Sequence, residues 1–433
     1  MDIDKVMLKK SFVVTIIFGL STFIQLISNI IVTRLFGAKL ELDIFLAAVA
    51  LPTIIVTVIY GTLNDAFLPV YGEKKINKKN DSDNFFVSSL INITIISSIF
   101  SILFFLLSKP ISSILYQSRG EEFVNNVSLQ MSLMGFSIPF SVIATLFGSY
   151  YYSHKHFNRF PLAQLIGSVI NLILIIILYK FLGIWALVIA FVVNIIFQIF
   201  CVIPKFEMFT KFKPSNILKG NNFLNSWLLL IISAFALRSD TLLIRSFGSH
   251  LPSGYLVYLN LISKIFSLAT GIMTIGVQIV LLPHLIEYLN EKKYLLVVNS
   301  IRKAKIMVLG ISVLVVLSIY FLAPFFINLL FVGGKFTLHD AKVASSLLPY
   351  FILPAIGWGI NGIYIQPLVA LKKSGHLAII SCLSLAIGWL VATISNIYLG
   401  PILAIEYGLI SLFASVIISS EILWQIFQKK LRE

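Results

Sequence analysis

Charged side chains interrupt one apolar stretch of this sequence and raise the question of what they do there. Arg238, Asp240 and Arg245 stand within residues 225–248, where Leu, Ile, Ala, Phe and Ser predominate. A charge at the centre of a bilayer costs about 2.5–3.5 kcal/mol on insertion scales, so such residues normally face a protein interior or a water-filled cavity. The arginines suit an anionic substrate through charge-assisted hydrogen bonds, and the aspartate suits a bound cation.

Membrane-spanning helices are the elements that must position these charges. The 433-residue chain is 58% hydrophobic and 12% charged, whereas soluble domains carry roughly 25% charged residues. Twelve apolar runs have the length of about 20 residues that crosses a hydrocarbon core as a helix. They lie at 11–33, 43–70, 84–107, 127–152, 161–179, 183–203, 225–247, 254–283, 306–329, 343–370, 376–397 and 401–427. We therefore predict an all-α polytopic membrane protein.

Two sequence patterns occur once in each half of the chain. Arg-x-Phe-Gly begins at Arg34 and again at Arg245, and Leu-Pro followed by Glu-Lys-Lys stands at Pro69 and again at Pro283. Because six predicted helices separate the copies, both copies have the same orientation in the membrane. This predicts a parallel repeat about an axis along the membrane normal.

The repeat predicts the domain organisation. We expect an N-terminal six-helix lobe at 1–203, a basic cytoplasmic linker at 204–224 and a C-terminal six-helix lobe at 225–433. The two bundles are expected to enclose a central cavity.

The net charge of +15 has an explanation in membrane topology. Basic segments such as "EKKINKKN", "KFEMFTKFKPSNILKG" and the tail "KKLRE" fall on one side of the predicted helices. Such an excess marks the cytoplasmic side, so both termini are predicted to be cytoplasmic. Nucleic acid is not an expected partner.

Polar residues on other spans extend the candidate site around Arg238. By the rise of a helix, Arg238 and Lys264 both lie near the middle of their spans, and Asn260 lies one turn from Lys264. On the first helix, Gln25 and Asn29 belong to a polar stripe. These side chains are candidate contacts for an anionic cargo.

Internal ion pairs are the alternative role for the two buried cations. Intramembrane charges often pair with one another. Arg238 or Lys264 would then neutralise Asp240 or Asp43 across helices.

Other candidates also have two interpretations. Arg34 and Arg245 lie near helix ends, where an arginine either anchors the helix at the membrane interface or contacts substrate. Asp240 has either a structural role or couples transport to Na⁺ or H⁺. The histidines and cysteines have no metal-ligand spacing, so no metal or other cofactor is expected.

Several stretches resemble the MurJ/MviN lipid II flippases, which belong to the superfamily of multidrug and polysaccharide exporters. They are "TRLFGAKLELDIFLAAVALP", "NRF" at 158–160, "SGYLVYLNLISKIFSLATGIMTIGVQIVLLP" and "LFVGGKFTLHDA" at 330–341. The resemblance implies two six-helix lobes, a central cationic cavity, alternating access and an undecaprenyl-diphosphate-linked sugar as cargo. It also implies that Asp43 matches a functional aspartate and that Lys264 falls where the family carries a cavity arginine.

Departures from the family pattern bear on the cargo. Thr22, Ser28 and Val56 stand where lipid II flippases carry important arginines, and Asn29 replaces an aspartate. We therefore expect a flippase for O-antigen, capsule or exopolysaccharide units, with lipid II as the alternative cargo. A multidrug antiporter and a membrane polysaccharide polymerase or ligase are the rival classes.

The resemblance also implies a setting. The protein is expected in the bacterial cytoplasmic membrane, acting as a transporter rather than an enzyme. Its expected partners are the lipid-linked saccharide, membrane lipids, and a polysaccharide polymerase or glycosyltransferases.

Overall fold

The chain folds into membrane-length α-helices. We describe a computed structural model over residues 3–77, 79–204, 223–371 and 373–432. Within these ranges ten helices are long and apolar enough to cross a membrane, and a bent pair of shorter helices forms an eleventh candidate. The remaining predicted span, 254–283, corresponds to the helix Tyr255–Asn290. The predicted all-α, multi-pass fold class is confirmed.

Seven helices precede the predicted linker, and eight follow it in the described residues. The first set is α1 (Ile3–Phe36), α2 (Leu40–Asn77), α3 (Lys79–Tyr116), α4 (Glu121–Gly135), α5 (Ser137–Ser153), α6 (Arg159–Leu182) and α7 (Trp185–Val202). The second set is α8 (Phe223–Arg238), α9 (Asp240–Gly248), α10 (Tyr255–Asn290), α11 (Tyr294–Phe331), α12 (Leu338–Ser346), α13 (Ile352–Ala370), α14 (Ser374–Leu399) and α15 (Pro401–Arg432). Most of the predicted linker, 205–222, lies outside the described residues.

The chain forms two compact units whose boundaries differ from the predicted lobes. The first unit comprises residues 1–36 and 47–231, and the second comprises 37–46 and 232–433. The segment 37–46 was expected in the N-terminal lobe but groups with the second unit. The segment groups with the second unit because Asp43 forms hydrogen bonds there, which are described below.

Helices of the first unit divide into buried and lipid-facing elements. The span formed by α4 and α5 is mostly buried, whereas only a small share of α3 and α6 is buried. Their exposed positions carry large apolar side chains, among them Ile114 and Phe181. Apolar groups in these positions are typical of helices that contact lipid tails.

Local chemistry sets where helices of the second unit begin and end. Gly254 adopts a left-handed conformation, with φ of 92°, immediately before α10. The start of α12 has a capping box, in which the Thr337 side chain accepts from the backbone N–H of Asp340 and the Asp340 carboxylate accepts from that of Thr337. These contacts satisfy N–H groups that a helix start would otherwise leave without partners.

Candidate functional site

Arg238, Asp240 and Arg245 lie on a broken helix. Between α8 and α9 the axis bends by 41°. Ser239 occupies the break, where its hydroxyl donates to the carbonyl of Phe235 at 2.7 Å. Arg238 ends α8 and Asp240 begins α9, so the two charges lie on different helical segments.

Asp240 is held by a tryptophan that the sequence analysis missed. The indole Nε1 of Trp358, on α13, donates to the Asp240 carboxylate at 2.6 Å. The backbone N–H groups of Asp240 and Thr241 also face this carboxylate. No salt bridge joins Arg238 to a carboxylate among the described residues, and Arg238 is exposed. A tryptophan in the middle of an apolar span was the available signal, since a buried indole N–H usually has an acceptor.

Arg245 has protein partners. The residue is 9% exposed, and its guanidinium donates to the backbone carbonyl of Leu46. A second donor, Nη2, lies 3.3 Å from the amide oxygen of Asn260. The side chain therefore ties the segment 37–46 to α9 and α10. This geometry favours the structural interpretation of Arg245 over substrate contact.

Asn260 and Lys264 share one face of α10. They are four residues apart, so their side chains are neighbours on the helix surface. Lys264 is half-buried, and Asn260 is joined to Arg245. The structure thus brings three predicted site residues together at one place in the second unit.

Asp43 is completely buried and binds the start of α10. Its carboxylate oxygens accept from the backbone N–H of Gly254 at 2.7 Å and from that of Val257 at 3.2 Å. A carboxylate at a helix N-terminus is stabilised by the unpaired N–H groups and by the helix dipole. These bonds explain why the segment 37–46 belongs to the second unit.

The Gly-Lys-Phe-Thr-x-x-Asp motif at 334–340 packs against the segment 37–46 and α10. Gly37 ends the first copy of Arg-x-Phe-Gly with φ of 69°, and an added Cβ would lie 2.5 Å from the carbonyl oxygen of Lys335. Asp340 accepts a hydrogen bond from the Tyr258 hydroxyl at 2.6 Å. The motif therefore has a structural role in connecting α10, α12 and the segment 37–46.

The candidate residues of the first unit lie on α1 and bond locally. The amide of Asn29 donates to the carbonyl of Gln25 at 2.7 Å, and the Gln25 amide lies 3.5 Å from the hydroxyl of Ser21. Arg34 differs from them, because its Nε atom is buried and has no hydrogen-bond partner.

Comparison with known proteins gives the family. The family model for "Lipid II flippase MurJ" matches residues 32–432. This chain belongs to the MurJ family. A probable lipid II flippase MurJ of Borreliella burgdorferi is 25% identical over 384 residues, which cover 82% of this chain and 72% of the relative. Another from Thermotoga maritima is 25% identical over 350 residues, covering 77% of this chain and 69% of the relative.

Solved structures show the same fold. The lipid II flippase MurJ in an inward closed conformation matches with a TM-score of 0.78 at 20% identity, covering 98% of this chain and 87% of that chain. An inward-facing multidrug transporter of the MATE family matches with a TM-score of 0.77 at 16% identity, covering 97% and 98%. The predicted resemblance to MurJ within this superfamily is confirmed.

The comparisons also bear on the predicted function. They support a membrane transporter acting on a lipid-linked substrate. Within that class they favour lipid II, the alternative cargo, over the O-antigen or capsule unit that was the main expectation.

Proposed function

We propose that this MurJ family member translocates lipid II from the inner to the outer leaflet of the bacterial cytoplasmic membrane. The observation that carries the proposal is the family match over residues 32–432. Lipid II has an anionic diphosphate between its polyprenyl tail and its sugars. Cationic side chains within the membrane helices fit such a cargo.

Arg238 and Lys264 are the cations that we assign to the diphosphate. Arg238 is exposed at the helix break, and it forms no salt bridge with a described carboxylate. Arg offers a planar fork and Lys a point charge, so the pair binds phosphate oxygens without reading the sugar. Arg245 and Asp43 have hydrogen-bond partners that connect elements of the second unit, which supports a structural role for them.

We propose that Asp240 couples transport to a monovalent cation. It is a carboxylate at a break between two helices, and transporters commonly bind Na⁺ or H⁺ at such interrupted helices. The Asp240→Asn protein should lose cation dependence while remaining in the membrane, because an amide cannot supply the negative charge.

The proposed orientation places both termini in the cytoplasm. In a protein whose Cys201 and Cys382 have been replaced by serine, a cysteine at Lys155 should resist an impermeant thiol reagent added from outside the cell. A cysteine at Ser118 is the matched control and should react. The opposite labelling would reverse the topology.

Reconstitution tests the cargo directly. The purified protein in liposomes should move fluorescent lipid II between leaflets, while liposomes lacking protein should not. A polyprenyl-diphosphate-linked O-antigen unit serves as the competing cargo. Faster movement of the O-antigen unit than of lipid II would overturn the proposal.

The MATE-like alternative predicts a different cargo. The fold alone does not separate a lipid II flippase from a multidrug transporter, since both structural matches have similar TM-scores. An organic cation would be expected to bind near acidic residues, whereas the membrane spans of the second unit carry the cations Arg238, Arg245 and Lys264 as well as the carboxylates Asp240 and Glu406. Cationic side chains in these spans favour an anionic cargo.

A further inference from the structure

The connection between α5 and α6 concentrates basic side chains to which the proposed function assigns no role. Residues 154–159, which we call the basic loop, read His-Lys-His-Phe-Asn-Arg, and the last two begin the Asn-Arg-Phe motif at 158–160. We propose that the basic loop and Lys75 form a surface site that binds the diphosphate of the lipid-linked cargo before the cargo reaches Arg238 and Lys264. The identity of this ligand rests on the proposed function. The site belongs to the first unit, whereas the two transmembrane cations belong to the second.

Tyr151 holds two members of the basic loop. Its hydroxyl donates to the backbone carbonyl of Ile203 at 3.1 Å, which ties the end of α5 to the end of α7. The Arg159 guanidinium lies over the Tyr151 ring, 5.0 Å from the centroid, and the His156 ring meets that ring edge-on at 6.4 Å. A cation over an aromatic face is attracted by the ring quadrupole. Arg159 is therefore held in place before any ligand binds.

Burial of Phe160 turns the preceding arginine outward. Phe160 is 2% exposed, and an added Cβ on Gly148 would lie 2.6 Å from its ring. Its ring also meets that of Tyr60 edge-on at 5.6 Å. Arg159 is exposed at the first position of α6. The order Arg-Phe thus has a physical reason, because the aromatic ring anchors the start of the helix while the cation stays at the surface.

Lys75 brings a further cation from α2. Its Nζ donates to the backbone carbonyl of Ser153 at 3.1 Å, immediately before the basic loop begins. An ammonium group has three donors, so a bond to one carbonyl leaves capacity for an anion. Lys155, two residues after Ser153, is exposed and adopts a left-handed conformation with φ of 63°. Cations from α2, from the loop and from α6 thus meet at one end of the first unit.

Positive charge predominates in this region of the described chain. Two carboxylates are near: Glu73 is exposed close to the end of α2, and Asp83 interacts electrostatically with Tyr150. The salt bridges found among the described residues join neither carboxylate to a cation of the site. The cations outnumber the carboxylates, and they are Lys74, Lys75, Lys155 and Arg159. A net positive surface attracts anions.

The aromatic members of this region indicate a ligand at the membrane surface. Phe157 is 42% exposed, and its ring stacks on that of Tyr152 with centroids 6.2 Å apart. Aromatic side chains beside cations are typical of the membrane–water interface, which is the depth of lipid phosphate groups. A lipid-linked diphosphate carries two negative charges, whereas phosphatidylglycerol carries one, so a group of cations favours the diphosphate. The guanidinium of Arg159 can donate two parallel hydrogen bonds to phosphate oxygens.

Binding to the purified full-length protein tests this site without a transport assay. The probe is a fluorescent, water-soluble, short-chain lipid II, whose anisotropy reports the dissociation constant. The protein carries Arg238→Ala and Lys264→Ala, so that the cations of the second unit do not contribute. We expect this protein to keep measurable binding, and we expect Lys155→Gln with Arg159→Gln to weaken it about tenfold or more, because each surface cation adds attraction for an anionic lipid headgroup. Absence of binding before the loop is altered, or equal affinity afterwards, would overturn the proposal.

Arg119→Gln is the matched control. Arg119 also lies over an aromatic ring, with its guanidinium 5.4 Å from the centroid of Phe123, and it stands at the other end of the span formed by α4 and α5. This variant removes the same charge from the same unit, and its affinity for the probe should not change. An equal weakening would show that net charge and not the basic loop binds the probe. If the double variant does not fold, Lys155→Gln alone is measured, and an unchanged affinity overturns the proposal equally.

Competing lipids identify the source of the phosphate. Farnesyl diphosphate should displace the probe at a concentration about tenfold or more below that of dioctanoyl phosphatidylglycerol, because two charges meet more of the cations. Equal displacement would make the loop a general site for acidic lipids and would overturn the proposal. Movement of lipid II in liposomes is measured separately. Lipid II that binds the loop but does not cross would refute the proposed function and leave the site, whereas crossing without loop-dependent binding would refute only the site.

Discussion

The two copies of Arg-x-Phe-Gly have the same sequence signature but different surroundings. In the second copy, Arg245 donates to the Leu46 carbonyl and to Asn260, and Gly248 is the last residue of a helix. In the first copy, the Nε atom of Arg34 is buried without a partner, and Gly37 ends the helix with φ of 69°. A repeated motif therefore does not imply a repeated role.

The difference shows where the chain uses charge for structure. Arg245 and Asp43 bind the segment 37–46 to the helices of the second unit, so each buried charge there has hydrogen-bond partners. The same substitution made in each copy tests this asymmetry.

The glycines should show the largest contrast. Gly37→Ala places a side chain at positive φ and against the Lys335 carbonyl, so we expect a loss of about 2–4 kcal/mol in the free energy of unfolding. In Gly248→Ala the new methyl group meets the side-chain ends of Leu259 and Leu256, which can shift, at a cost of about 1 kcal/mol. Thermal unfolding in detergent measures both. Equal losses would remove the distinction.

The arginines should differ next. Arg245→Met removes charge-assisted hydrogen bonds, each worth about 1.5–3 kcal/mol. We expect the free energy of unfolding to fall by at least the value of one such bond, about 1.5–3 kcal/mol. Arg34→Met removes a side chain whose Nε has no partner, so its effect on stability should be below about 1 kcal/mol. Urea unfolding of the two variants, followed by tryptophan fluorescence, compares them. A larger loss for Arg34→Met would contradict the structural role of Arg245.

Asp43 lies in the segment that the second copy binds, and its contribution to stability can be tested by replacing the carboxylate with an amide. In Asp43→Asn, an NH₂ group would face the backbone N–H of Gly254 or Val257 in place of an acceptor. We expect a loss of about 1–3 kcal/mol. Asp65→Asn is the control, because Asp65 is exposed and should change stability by less than about 0.5 kcal/mol. If both asparagine variants lose the same free energy of unfolding, Asp43 does not hold α10.

Tyr258 should have the smallest effect. Tyr258→Phe removes the hydroxyl that donates to Asp340, but Asp340 keeps its bonds to the backbone N–H and hydroxyl of Thr337. The expected loss is about 1 kcal/mol. A loss as large as that of Gly37→Ala would mean that the hydroxyl, and not the close backbone contact at Gly37, holds the segment 37–46. Differential scanning calorimetry is suited to so small a change.

The sequence predicted the fold well because apolar runs of membrane length have few alternatives. It also indicated Asp240 and Lys264 as candidate site residues, since charges in such runs are conspicuous, and their role in transport stays a prediction. It did not predict the break at Ser239, because neither Pro nor Gly stands there. The partners of Asp43 and Asp240 were missed for another reason. They lie 211 and 118 residues away in sequence, and pairing at that distance depends on tertiary packing.

The division of charges into cargo-binding and structural groups is the central claim, and one paired measurement tests it. Lipid II translocation in liposomes and the unfolding temperature are measured for Arg238→Ala, Lys264→Ala and the control Arg302→Ala, an exposed arginine of the same unit. We predict that the first two lose at least about 90% of transport at an unchanged unfolding temperature, a loss of about 1.4 kcal/mol or more in transition-state stabilisation, and that the control keeps both properties. Loss of stability in Arg238→Ala, with transport restored by adding Asp240→Asn, would show that Arg238 only neutralises a carboxylate and would contradict the account.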